Sequence, residues 1–530
     1  MKITHAPFSQ FPMLSKMDLA YAQRDASLAP FYVYEPNMES FKKVILDKSN
    51  DSIDRKTLVS ALKRQYKSLN TEGVVSQNIV SLLDEKTYTV TTAHQPSLMT
   101  GPLFFIYKIF STINLSRQLK TTYPEYNFVP IFVIGGEDHD FEEVNSINMF
   151  NKKIAWENAE KGAVGMMKTA TLSAVLRELK SVLGESTNAQ AIFNIIEKNY
   201  TQHAVYQDAT QGLLNDLFGK YGLVVLNMND SELKRLFIPF IKKEITEQIS
   251  KPLVEKAQRS LNDLGFKSQA FPRDINLFYL RENMRERIVY EDGIYKVLNT
   301  DYQWDSLDSI LKEVEEAPQY FSPNVVMRPL YQELVLPNLA YIGGGGELAY
   351  WLERREQFAA FGVNFPMLIR RNSVMWIDKG SNDKLAKLNL AWQSLTFDTE
   401  QVIKDFLSKN ASDPLSMETE KGQLRSLFEV VLAKAKAVDA TLEKSVLAES
   451  AKVIQSLEII ESKLMKAEKQ KNETTLNQIR QLAQKFFPNG GLQERSDNFL
   501  PYYLKHGEAF FDVLNENLNP LTEGFVVIEE

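Results

Sequence analysis

Apolar positions recur along the chain with two periods, and the switches between them mark its organisation. Tyr88 to Thr92 (YTVTT) is a β-branched and aromatic run suited to a buried strand. It leads into His94-Gln95-Pro96, where proline lacks the N–H that strand pairing needs. Beyond Thr100-Gly101-Pro102, the residues Leu103, Ile106, Phe110 and Ile113 fall three and four apart. That spacing predicts a helix to about Lys120, with Pro102 at the first helical position. Tyr123-Pro124 stops it, and Phe128 to Gly136 (FVPIFVIGG) reads as a strand buried on both faces. Together these form a strand, helix, strand unit of suitable length for a right-handed parallel crossover.

Gly222 to Met228 (GLVVLNM) is a further strand candidate, stopped at Asn229-Asp230 and followed by a helical pattern towards Ser250. Leu172, Leu176, Leu179 and Leu183 have helical spacing and read as an insertion rather than a sheet crossover. Leu339 to Glu353 (LAYIGGGGELAYWLE) places four glycines between an apolar run and an amphipathic one. The expected fold class is α/β: a Rossmann-like parallel-sheet core over 1–380 with helical insertions, then an α-helical coiled-coil domain over 381–530. From about Ser381, Lys, Glu, Gln and Ala dominate, and no proline separates Leu415 from Phe487. Leu424, Leu427, Val431, Val438, Leu442, Val446, Val453, Leu457, Ile460 and Leu464 continue at coiled-coil spacings. Lys469 to Asn472 suits a turn, with Asn472 capping a returning helix through Leu476, Ile479 and Ala483. Such a seam fits an arm packed on itself or a dimer interface equally well. Pro488 to Glu530 returns to aromatic and proline-rich composition and is expected to fold back on the core.

Composition narrows the chemistry. The 530 residues include no cysteine, which excludes disulfides, thiolate metal sites and a cysteine nucleophile. With 61 Lys and Arg against 68 Asp and Glu, the formal charge is −7, and no basic footprint for nucleic acid or anionic lipid stands out. Small-molecule substrates are expected instead. The opening residues are interrupted by Pro7, Pro12, Lys16 and Asp18, unlike a signal peptide. Phe128 to Gly136, the longest strongly apolar stretch, is far below the roughly 20 residues that span a bilayer. A cytoplasmic location is expected.

The densest chemical cluster is Glu137-Asp138-His139-Asp140-Phe141-Glu142-Glu143, directly after a predicted parallel strand. Ligands in open α/β sheets sit outside the carboxyl ends of strands, so these groups fall where a substrate binds. Carboxylates and an imidazole there suit general acid and base work, the orientation of an amine, or a hard cation such as Mg2+. Acidic residues also favour a helix N-terminus, a role that fits Glu142 and Glu143 better than Asp138, His139 and Asp140. A zinc site is not expected, since no second histidine lies at ligand spacing. At the end of the neighbouring strand, His94 and Gln95 offer donors and acceptors, Thr100 and Gly101 an anion site at a helix start, and Lys108 a cation that reaches back to it. Gly343 to Glu347 (GGGGE) allows close backbone approach to an anion but matches neither a P-loop nor G-x-G-x-x-G in its required context. Asn324 to Leu330 (NVVMRPL) carries Arg328, which can fork onto a carboxylate or pair on the surface, and Arg370 and Arg371 share that ambiguity. Leu492 to Arg495 and Asn498 to Gly507 fit core packing better than ligand contact.

Taken in order, HQPSLMTGPLFFIYK, VPIFVIGGEDHDFEEVN, NVVMRPLYQE, GGGGELAYW and FFPNGGLQERSDNFLPYYLKHG resemble the bacillithiol-biosynthesis cysteine-adding enzyme family. The likeness covers nearly the whole chain. It implies a core related to class I nucleotidyltransferases and aminoacyl-tRNA synthetases, a homodimer through the coiled coil, and acylation of the glucosaminyl-malate amine by cysteine. Fold kinship adds ATP as the activating cofactor, although neither the His-x-Gly-His nor the Lys-Met-Ser-Lys-Ser signature occurs. Two departures stand out: Gly345 occupies the place of a frequent proline, and His94 stands where other members carry glutamine. The mechanism this implies has Asp138, Asp140 or Glu142 anchoring the amine and His139 removing its proton. His94, Gln95, Thr100, Asn324, Gly344, Gly345, Gly346 and Glu347 belong to the substrate-binding set, with Arg328 or Lys108 neutralising the malyl carboxylate. Rival readings are a nucleotide- or sugar-acid-binding scaffold and a metal-dependent hydrolase.

Overall fold

Why the chain folds around Thr87–His94 follows from its neighbours. In the computed structural model, which describes residues 1–69, 73–150, 152–410 and 416–530, this strand is buried along nearly its whole length. We label the central strands β1 (Thr87–His94), β2 (Asn127–Ile134), β3 (Val224–Asn227), β4 (Asn338–Gly343) and β5 (Met367–Arg370). Their order is β5-β4-β1-β2-β3 and every pairing is parallel. Parallel strands buried on both faces need continuous apolar or β-branched runs, as FVPIFVI and YTVTTA supply. Tyr88, Val90, Phe128, Leu339, Ile342, Met367 and Ile369 meet Leu115 and Leu119 in one apolar cluster.

Chain order reverses between β1 and β4, the topological switch point at which such sheets hold ligands. β1 and β2 pair in unbroken register from Thr87 opposite Asn127 to His94 opposite Ile134. Both therefore end level, and the Gly135 N–H donates to the His94 carbonyl (2.8 Å). Helix α1 (Phe104–Thr122) joins them, close to the predicted bounds. The insertion between β2 and β3 is mainly helical, and Leu176, Leu179 and Leu183 lie buried on one face of helix Ser173–Leu183, as their spacing predicts.

Between β3 and β4 come helix α2 (Ser231–Glu247) and a five-stranded sheet that the apolar pattern did not suggest. Leu277–Arg281, Met284–Glu291, Ile294–Val297 and Gln303–Trp304 form an antiparallel meander, and Phe321–Pro323 pairs with the first of these. Its longest strand, Met284–Glu291, is partly exposed and charge-rich, which blurs its alternation. A signal existed nonetheless: Asp292 and Gly293 both take positive φ (55° and 84°) in a two-residue hairpin turn, which Asp-Gly favours. The sheet matters because it carries Arg285.

Helices α3 (Arg328–Val335) and α4 (Gly345–Leu352) flank β4. Gly345 opens α4 against helix Lys16–Ala22, and a Cβ there would lie 2.0 Å from Asp18 Cγ. Asp18 cannot yield freely, since both its oxygens hold the Arg370 guanidinium (2.7 and 3.0 Å). Gly345→Ala is therefore expected to destabilise the protein by about 1–3 kcal/mol, the usual cost of overpacking, read as a lower melting temperature.

Two units compose the described chain, Met1–Met375 with Glu494–Ile528, and Trp376–Gln493 with Glu529–Glu530. The second is helical. Helices α5 (Glu418–Val438) and α6 (Glu443–Lys471) pack together, and α7 (Glu473–Phe486) buries Leu476, Ile479, Leu482, Ala483 and Phe486. Leu415, where the proline-free run begins, lies outside the described residues. The seam is not one continuous helix: it breaks at Asp439, whose extended backbone ends α5 and whose carboxylate accepts the Thr441 N–H (2.8 Å). Asn472 precedes α7 as expected but does not cap it with its side chain, which donates to the Glu468 carbonyl instead (3.0 Å). Along the seam Leu427, Val431, Val438, Leu442, Ile460 and Leu464 are exposed. No helix among the described residues is long and apolar enough to cross a membrane.

Candidate active site

A cavity of about 430 Å³ opens over the carboxyl ends of β1, β2 and β4. At the β2 end its wall contains Gln95, Gly136, Glu137, Asp138 and Glu143, with Arg285 from the antiparallel sheet. At the β4 end stand Asn324, Arg328, Gly344, Gly346, Glu347, Tyr350, Arg371 and Arg495. His94 lies on the wall as well.

The β2 end is a network of fixed charges. Gln95 Nε2 donates to Asp138 Oδ2 (2.8 Å), while Asp138 Oδ1 accepts the His139 N–H (2.7 Å) and approaches Arg285 Nη1 (3.5 Å). Burial alone would raise the Asp138 pKa, but the His139 ring beside it and these donors outweigh that and hold the carboxyl well below its ordinary range. Arg285 lies over the Phe278 ring and also donates to His139 Nδ1 (2.7 Å). Glu137 pairs with buried Lys234 (2.6 Å) and accepts the Ser322 hydroxyl (3.0 Å).

At the switch point, His94 packs against Phe104 and Phe105, and its Nδ1 faces the Gln95 carbonyl at 3.0 Å, so that nitrogen carries the proton. Burial first, then the cations of Lys108 and Arg371, push its pKa down to about 4 and keep the ring neutral at pH 7. Lys108 does not reach into the cavity. Its ammonium is fully buried and donates to the Ala93 carbonyl (2.6 Å) and the Glu347 carboxylate (2.8 Å). Glu347 also accepts the Tyr341 hydroxyl (2.9 Å) and the Gly344 N–H (2.9 Å), closing the first turn of α4 on itself.

Arg328 stands apart because it makes no ion pair with any described carboxylate. Its guanidinium donates to Gln332 Oε1 (3.2 Å) and the Tyr350 hydroxyl (3.0 Å). Burial alone would lower its pKa, but Tyr350 and Tyr341, with the charge of Glu347 nearby, outweigh that and raise it. Arg371, by contrast, is spent on a bidentate pair with buried Glu494 (2.7 and 3.0 Å). Arg495, the next residue after Glu494, is exposed at the rim and also forms no ion pair with a described residue.

Of the residues singled out in the sequence, the fold brings His94, Gln95, Asp138, Asn324, Arg328, Gly344, Gly346 and Glu347 to one cavity. Six do not take the expected places. Thr100 is buried in a left-handed turn (φ 66°) off the wall, Lys108 lies behind it, and Gly345 faces Asp18. Asp140 and Glu142 are exposed and line nothing, because the chain turns into the short helix Phe141–Val144, where successive side chains diverge and Glu143 is the one on the cavity wall. His139 sits beside the site, half-exposed, its Nδ1 occupied by Arg285. Sequence reading left out Glu143, Arg285, Tyr350 and Arg495 from the site. Among the described residues no group of three or more acidic or imidazole side chains is placed to hold a metal ion.

A parallel sheet with a cavity of charged ends over its switch point defines a Rossmann-like α/β protein, with the cavity where such sheets hold small molecules. Comparison with known proteins sharpens this. A family model described as bacillithiol biosynthesis BshC, N-terminal Rossmann-like domain, matches residues 1–372, and its C-terminal coiled-coil counterpart matches 374–530. Relatives bearing the name "Putative cysteine ligase BshC" occur in Flavobacterium psychrophilum, 43% identical over 97% of each chain, and Flavobacterium johnsoniae, 41% identical over 97% of each. Another, from Christiangramia forsetii, is 41% identical over 96% of each chain. The chain belongs to the bacillithiol-biosynthesis BshC family.

Proposed function

We propose that this enzyme is a ligase that forms an amide between the carboxyl of cysteine and the amine of glucosaminyl-malate, the last step of bacillithiol synthesis. Cysteine enters this reading through the names of the relatives. The observation that carries it is the division of charge in the cavity, with Glu137, Asp138 and Glu143 at the β2 end and, at the β4 end, the guanidiniums of Arg328 and Arg495, which form no ion pair among the described residues. A substrate that bears an amine at one end and carboxylates at the other suits such a cavity. Asp138, held ionised by Gln95 and Arg285, orients the amine, and Arg328 receives a malyl carboxylate.

Cysteine has to arrive activated, because a free carboxylate does not acylate an amine in water. ATP would supply the activating group, and Arg495 is the residue on the wall that would hold its anionic part. The neutral His94 ring and the glycine backbone at 344 and 346 line the floor beside it. The exposed apolar residues of α5 and α6 support a homodimer formed through those helices.

Mass spectrometry of the full chain with glucosaminyl-malate, cysteine, ATP and magnesium, each omitted in turn, tests this. The expected result is a condensed thiol that needs both cysteine and the sugar, with AMP or ADP as co-product. Folded protein that forms no condensed thiol from the complete mixture would sink the reading.

A further inference from the structure

We infer that Glu143 is the catalytic base of the condensation, the group that takes the proton from the attacking amine, an assignment that rests on the function proposed above. Four carboxylates line the cavity, and three are already spoken for. Glu137 is paired with Lys234, Glu347 with Lys108, and Asp138 with Gln95, the His139 amide and Arg285. Glu143 alone of the four has no cation beside it among the described residues. Its charged neighbours are Asp138 and Asp140, and the neutral Gln95 amide is its hydrogen-bonding partner.

His139, the residue its sequence context favours, is poorly placed for the task. Its Nδ1 accepts the Arg285 N–H, and a nitrogen held on a guanidinium is not free to accept a second proton. Asp138 is pinned in its ionised form by three donors and is a weak proton acceptor for the same reason. Glu143 is the opposite case: partial burial first, then repulsion from Asp140 and Asp138, raises its pKa above the ordinary glutamate value. A base in that state both approaches a cationic amine favourably and holds the proton it removes.

The step balances as follows. The ammonium of the sugar gives one proton to the Glu143 carboxylate, and the freed lone pair forms the C–N bond to the carboxyl carbon of an activated cysteine ester or mixed anhydride. The bond from that carbon to the leaving group then breaks, and the leaving group departs with the electron pair and accepts the second proton of the nitrogen. Glu143 returns its proton to water as the product leaves. Because the protonated acid is inactive, turnover should fall as pH drops through the raised Glu143 pKa.

The test compares wild type, Glu143→Gln and Glu143→Asp in the full chain, with two nucleophiles. With glucosaminyl-malate, Glu143→Gln should lose about 10²- to 10⁴-fold in kcat, the usual worth of a positioned base, and Glu143→Asp should fall between it and wild type. With hydroxylamine, largely unprotonated at neutral pH, the Gln variant should form cysteinyl hydroxamate within about threefold of wild type. A Gln variant that condenses the sugar at near wild-type rate overturns the assignment. So does one that loses both reactions alike, since that marks a structural role. Wild type that forms hydroxamate but no sugar amide overturns the proposed substrate instead, and the two failures are thereby distinguishable.

Discussion

Arg328→Met is expected to raise KM for glucosaminyl-malate so that kcat/KM falls about 10- to 150-fold, with little change in melting temperature. The range corresponds to the loss of a charge-assisted hydrogen bond worth about 1.5–3 kcal/mol. The asymmetry between binding and stability follows from its partners. Arg328 donates only to Gln332 and Tyr350, neutral groups that lose little when it goes, and no described carboxylate is left unpaired. Lysine is a poor replacement, since a point charge does not reproduce the fork that meets a carboxylate. Steady-state kinetics against each substrate separately provide the check, and a kcat/KM within threefold of wild type would contradict the role.

Lys108→Met should act in the reverse sense, with a large loss of stability. The ammonium is fully buried and is the cation that balances Glu347. Removing it strands a carboxylate inside the protein, at a cost of about 3–5 kcal/mol. The Tyr341 hydroxyl and the Gly344 amide hold Glu347 in place but do not neutralise it. Lys108→Met with Glu347→Gln should regain part of the loss, because the second change removes the stranded charge. Thermal melts of the single and double variants measure it; equal melting temperatures for Lys108→Met and wild type would refute the pairing.

Much of the core was legible from period alone. YTVTT, the helix after Pro102 and FVPIFVIGG are β1, α1 and β2, and the rule that ligands gather at strand ends points to the place where the cavity opens. What escaped notice did so for physical reasons. Arg285 lies on a strand whose alternation is blurred by charge (MRERIVYE), so only the Asp-Gly turn beyond it marked a hairpin. Arg495 follows a fully buried glutamate, and that context read as packing. The choice of Glu143 over Glu142 depends on the angle at which a four-residue helix leaves β2, and no spacing in one sequence encodes that angle. Lys108 was assigned the right neighbourhood but the wrong side of the wall, since periodicity tells which residues share a helix face and not how deeply that face is sunk.

The first unit is built from two stretches of chain, and the second of them, from Glu494 onward, holds the counter-ion of Arg371. During synthesis the five central strands and α4 leave the ribosome well before Glu494 does. Until then the Arg371 guanidinium lacks its bidentate partner, and Arg495 is missing from the rim. The cavity is thus finished late in translation, and a nascent or truncated chain that ends in the helical region carries all five central strands but lacks residues that complete the site.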